Sequence, residues 1–115
     1  MIKTIGVADV LRQVLLPLRE RIAVAFIFGS VARREERSAS DVDLLVIGEV
    51  SLADVVDVIR DAEQSIGRPV NPTVYPREEF AAKLKAGHHF VRKVAEGEKL
   101  MLIGDESDVA ALSGK

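Results

Sequence analysis

Cysteine is absent from this 115-residue chain, histidine occurs only twice, and aromatic residues make up 4%. Without cysteine there are no disulfides and no thiolate metal ligands, and the redox compartment is left open. The two histidines, His88 and His89, are neighbours in sequence. On a helix such neighbours point about 100° apart and chelate one ion poorly. A dominant charge is missing as well. Sixteen Lys and Arg face eighteen Asp and Glu, for a formal charge of -2, so no global field captures nucleic acid. The basic segment Lys83, Lys85, His88, His89, Arg92 and Lys93 has Phe90 as its only aromatic and is diluted by Glu96 and Glu98, the pattern of a solvated helical face. Nor is there a long apolar run free of charge near the start, where Arg12, Arg19, Glu20 and Arg21 intervene. Neither a signal peptide nor a membrane span is expected, and the cytoplasm is the expected compartment.

What is present is a 48% hydrophobic share with 30% charged residues. A chain of this length is expected to form one domain, residues 1–115, with a real core and no room for a second unit. Val10, Leu11, Val14, Leu15 and Leu18 recur at helical spacing and predict a first helix from about Ala8 to Arg19, its last turn bent or shortened by Pro17. Ile22 to Phe28 reads as a dense apolar strand. Ser30 to Glu36 suits a short helix capped by Ser30, and Asp41 to Ile47 a second strand stopped by Gly48. Ser51 caps a helix carried by Leu52, Val55, Val56, Ile59 and Ala62, with Asp54 at its positive end and Gly67 closing the region. Residues 68–75 give a third strand whose Pro72 marks an edge or a bulge. Pro76 with Glu78 and Glu79 opens a helix to about Ala86, and His88 to Glu96 forms another. Residues 99–104 read as a short last strand, and the tail from Asp105 is expected to fray.

The most informative stretch runs from Phe28 to Gly48, where one apolar run ends in Gly29-Ser30 and the next opens with Asp41-x-Asp43. In a strand, side chains two apart share a face, so Asp41 and Asp43 present two carboxylates side by side, a pair suited to a hard cation. Gly29 lets the backbone approach a ligand, and Ser30 caps a helix whose free N–H groups suit phosphate. A turn followed by a hairpin strand with polar ends is the plainer alternative. Twelve residues lie between Ser30 and Asp43, too few for a crossover helix returning to a parallel strand. The two strands should therefore run antiparallel, bringing Asp41 and Asp43 beside Gly29-Ser30.

This stretch resembles the signature of the nucleotidyltransferase superfamily typified by DNA polymerase beta: G-S followed about ten residues later by D-x-D. It resembles more closely that superfamily's small stand-alone members, the minimal nucleotidyltransferases related to kanamycin nucleotidyltransferase. Gly29, Ser30, Ala32, Arg33, Glu35, Ser40, Asp41 and Asp43 fall on the family pattern, whereas Arg34 stands where a glycine usually follows the arginine. The resemblance implies an α+β nucleotidyltransferase-like fold, a short mixed sheet with helices packed mainly on one side. It implies that Gly29 and Ser30, with Arg33, bind the nucleotide, that Asp41 and Asp43 are catalytic and hold Mg²⁺, and that Asn71 stands at the third catalytic position. It also implies transfer of a nucleoside monophosphate from a triphosphate, most simply ATP, to a protein or small acceptor.

The third acid of that family, on the third strand, meets Asn71 here within Val70-Asn71-Pro72-Thr73-Val74. Asparagine offers an oxygen but neither negative charge nor a general base. The alternative is thus a non-catalytic nucleotide-binding or antitoxin-like interaction module with a degraded third position. Because minimal nucleotidyltransferases are often encoded with HEPN-type proteins in toxin–antitoxin pairs, the resemblance implies a HEPN-type partner. A second copy of the chain is the other candidate partner, since so small a domain can leave a sheet edge or apolar helix face to cover.

Overall fold

In a computed structural model, residues 6–29 and 41–112 are described. Helix α1 (Val7–Leu15) gives way at Leu16 to a 3₁₀ turn, Leu16–Arg21, with Pro17 in its first turn. The proline has no N–H for an α-helical bond, which accounts for the shortened end. Strand β1 (Ile22–Phe28) follows, then β2 (Val42–Gly48), helix α2 (Leu52–Ile66) and strand β3 (Val70–Tyr75). Helices α3 (Arg77–Lys85) and α4 (His89–Glu96), strand β4 (Leu100–Ile103) and helix α5 (Glu106–Leu112) complete the order. The short helix expected over Ser30 to Glu36 lies outside the described residues.

Among the described residues the strands form one sheet in the order β3-β2-β1-β4. β2 runs antiparallel to β1 and parallel to β3, and β4 is antiparallel to β1. The α+β class and the short mixed sheet are as the sequence predicts, and so is the antiparallel return from β1 to β2. Alternation along the strands sorts the core into two layers. Ala25, Ile27, Val42, Leu44 and Val46 pack against Leu11 and Leu15 of α1 and Val55, Ile59 and Ala62 of α2. Val24, Phe26, Leu45 and Ile47 point the other way and meet Phe80, Val91, Val94 and Val109 from α3, α4 and α5. β1 and β2 are thus covered on both faces, which explains their nearly unbroken apolar sequence.

Several ends are fixed by single residues. Ser51 Oγ accepts the Asp54 N–H at 3.0 Å, and Gly67, at φ 74°, closes α2 in the left-handed conformation. One expectation is corrected. The tail from Asp105 does not fray but forms α5, because Asp105 Oδ1 accepts the Asp108 N–H at 3.1 Å while Asp108 Oδ2 accepts the Asp105 N–H at 2.9 Å, and Val109 is buried. That reciprocal capping outweighs the cost of starting so short a helix. At the sheet's outer strands, Glu63 Oε2 accepts the Val70 N–H at 2.8 Å, and an Arg12 guanidinium N–H donates to Met101 O at 2.8 Å. No helix among the described residues is long and apolar enough to cross a membrane.

Two outcomes follow from this packing. A Cβ at Gly48 would lie 2.8 Å from Ile22 Cα and press on the Arg21 carbonyl oxygen. Gly48→Ala should therefore cost about 1–3 kcal/mol in urea unfolding, because the obstacle is backbone and cannot step aside. Asp54 receives a guanidinium N–H of Arg21 at 2.7 Å, which, with the Ser51 hydrogen bonds, holds its carboxyl below the usual 3.8. A lowered folded value contributes stability that is present above the unfolded value of about 3.8 and lost as pH falls through the folded one. Asp54→Asn should flatten the acid limb of a stability–pH profile; an unchanged slope below pH 4 would refute the linkage.

Candidate functional site

The C-terminal end of β1 and the N-terminal ends of β2 and β3 meet at one corner of the sheet. In register, Phe28 stands opposite Asp43, and Asp43 beside Asn71. Asp43 has the alternation of Leu45 and Ile47, and Asn71 that of Tyr75, so both belong to the face covered by α3, α4 and α5. Gly29 ends β1 with φ 78°. A Cβ on it would come 2.5 Å from Asp43 Oδ2, so this backbone passes against the carboxylate as only glycine permits. Asp41, exposed just before β2, accepts a hydrogen bond from Asn71 Nδ2 at 3.0 Å. Gly29, Asp41, Asp43 and Asn71 are thereby brought together. Ser30 and Arg33, together with Ala32, Arg34, Glu35 and Ser40, lie outside the described residues.

The contact between Asn71 and Asp41 decides the chemistry of the donor set. An ionised carboxylate only accepts, so Asn71 must turn its NH₂ group to Asp41, and its side-chain oxygen points elsewhere. A neutral donor therefore stands where a third ligand oxygen would be needed, and it occupies one oxygen of the first carboxylate. Among the described residues no group of three or more His, Asp or Glu is arranged to hold a metal ion. The expected Mg²⁺ cofactor and the metal-binding character are therefore corrected: this donor set does not fit the ion. A charge-assisted hydrogen bond offsets part of the repulsion between the two aspartates that a cation would otherwise relieve.

Sequence reasoning missed the wall opposite this corner. Phe28, Gly29 and Asp43 border a cavity of about 440 Å³ whose other side is Phe90, Lys93 and Val94 of α4 with Gly97 and Glu98 beyond it. The rings of Phe28 and Phe90 meet edge to face at 5.7 Å, which anchors the helix over the end of β1. His88 caps that helix, its Nδ1 accepting the Val91 N–H at 3.4 Å. A signal existed in the spacing of Phe90, Val91 and Val94, which marks a half-buried helix instead of a wholly solvated basic face.

Replacing Asn71 by Asp should turn the hydrogen bond into a repulsion between carboxylates. One of the pair then titrates above its usual range, so the variant's stability deficit is full at neutral pH and shrinks as pH falls through the raised value. Millimolar Mg²⁺ should raise the melting temperature of Asn71→Asp and leave the wild type unmoved. An equal rise in both would show that the natural donor set already holds the ion.

Comparisons with known proteins place this geometry in context. The family described as polymerase beta, nucleotidyltransferase, matches residues 13–86, more than half of the chain. Two proteins of Methanocaldococcus jannaschii, both provisionally named protein adenylyltransferases, are similar in sequence. One is 31% identical over 83 residues, 72% of this chain and 81% of its own length. The other is 40% identical over 60 residues, 50% of this chain and 64% of its own. Among solved structures, a toxin–antitoxin crystallised with AMP-PNP superposes with a TM-score of 0.61 at 11% identity, covering 93% of this chain and 81% of that one. A mutant of the toxin–antitoxin MntA-HpeT gives a TM-score of 0.58 at 9% identity, covering 96% and 82%. At such identities the likeness is one of fold alone.

Proposed function

Since the chain belongs to the polymerase beta nucleotidyltransferase family, and its described donor set does not fit a divalent cation, we propose that it is a non-catalytic, antitoxin-like interaction module that keeps a nucleotide-binding corner. The observation that carries this reading is the hydrogen bond from Asn71 to Asp41. Nucleotidyl transfer needs charge compensation on the attacking and leaving oxygens and a group to take the acceptor's proton. An amide committed to Asp41 supplies neither. What remains is Gly29 against Asp43, flanked by the Phe28–Phe90 pair, a geometry that can receive a nucleotide without transforming it. AMP-PNP in a toxin–antitoxin structure of the same fold supports the binding half of this reading, and the resemblance to minimal nucleotidyltransferases makes a HEPN-type protein the proposed partner. Gly29, Asp41, Asp43 and Asn71, with Ser30 and Arg33, are the residues proposed to form the corner.

The names of the two archaeal relatives favour a second reading, transfer of an adenylyl group to a partner protein. One experiment separates the two. The purified chain is mixed with the protein encoded beside it and with α-³²P-ATP, in divalent salt and again in chelator. Co-elution of the two proteins with no label on either is expected. Label on the partner that disappears with Asp43→Asn would establish the second reading and overturn the first.

A further inference from the structure

Away from the corner, one charge lies where charges are costly. The Lys99 side chain is only 2% exposed, beyond the end of α4 and beside the first turn of α5. Its ammonium donates to Ala95 O and to Gly97 O, both at 2.9 Å, and stands 3.6 Å from Glu106 Oε1. On its inner side is the fully buried ring of Phe26, in the middle of β1, with the centroid 5.7 Å from Nζ and within range of a cation–π attraction. Taking an ammonium out of water is offset only where its N–H groups meet strong acceptors. Carbonyls at the C-terminal end of a helix are such acceptors, since they carry partial negative charge and lack an N–H partner within the helix.

Helix α4 is thereby held to β1 at both ends. Near its start Phe90 meets Phe28, and past its last residue Lys99 meets Phe26. Packing against α5 gives the far end little support, because a cavity of about 220 Å³ lined by Leu84, Ala95, Lys99, Glu106 and Val109 lies between the helices there. We propose that Lys99 is a latch that fastens the C-terminal end of α4 to β1. Without the ammonium the carbonyls of Ala95 and Gly97 turn to water, and the last turn of α4 opens while the Phe90 end and the α1–α2 layer stay in place. Glu106 is 73% exposed, so its ion pair adds little and the carbonyls carry the latch.

The test is amide hydrogen exchange, followed by NMR on the whole chain. Lys99→Met keeps an apolar stem and removes the donors. It should speed exchange at Ala95, Glu96 and Gly97 by about tenfold to a hundredfold, the factor for losing a hydrogen bond to a charged group, and by far less at Ile59 and Ala62 of α2. Glu106→Gln should leave all five amides unchanged. An equal factor in α4 and α2 would show general stabilisation instead of a latch. No acceleration in α4, or the same acceleration in Glu106→Gln, would likewise overturn the proposal. Should Lys99→Met fail to fold, the wild type decides. Its Lys99 ammonium protons should persist in a nitrogen-15-edited spectrum at neutral pH, where those of exposed Lys85 and Lys93 are lost to exchange with water. Loss of the Lys99 signal at the same rate as theirs would overturn the latch.

Discussion

The antiparallel ladder from Ile22↔Gly48 to Phe28↔Asp43 fixes both the core and the corner. Because side chains alternate, this one register sends Ala25 and Ile27 to the α1–α2 layer and Phe26 and Phe28 to the opposite layer, and it sets Asp43 beside the end of β1. A slip by one residue would exchange the faces of the whole strand, putting a carboxylate into the apolar layer under α2. Such a slip would bury a charge without a partner, so the hydrophobic pattern that folds the sheet also places the carboxylate at its rim. Gly29 is the other half of that constraint, since the chain leaves β1 beside the Asp43 carboxylate in the left-handed conformation, φ 78°, that side chains rarely adopt.

Parallel pairing of β3 onto β2 then brings Asn71 level with Asp43 and within reach of Asp41. A third carboxylate at this place would replace the hydrogen bond to Asp41 by a repulsion between like charges and lower stability where no cation is bound. The amide avoids that repulsion. It gains a hydrogen bond to a charged acceptor and adds no charge of its own.

Much of this was legible in the sequence because it is local. The twelve-residue interval between Ser30 and Asp43 indicates antiparallel strands, and Pro17, Ser51 and Gly67 mark helix ends through backbone chemistry that acts within a turn or two. Asn71 could be aligned with a carboxylate position, but the direction of its amide could not, since that depends on Asp41, thirty residues away. The wall formed by Phe90 and Lys93 was hidden for the same reason: it exists only when α4 folds over the end of β1. The helix after Asp105 was missed because seven residues carry too little periodicity, whereas the Asp105–Asp108 exchange that nucleates it is itself local and could have been seen.

The sheet's outer strands also bear on how a partner could bind. Pro69 O accepts the Val42 N–H at 2.9 Å, so the backbone groups of 69, 71, 73 and 75 face β2 and those of 70, 72 and 74 face outward. On that outward side the Val70 N–H is already taken by Glu63, and Pro72 has no N–H to offer. A strand added there would find two of three donors missing. Along β4, the Arg12 guanidinium holds the Met101 carbonyl and sets a charged side chain against the strand. Such blunted edges resist extension of the sheet by a second copy or by a peptide. Docking through helices and the rim of the corner keeps these contacts intact, whereas strand addition must break them.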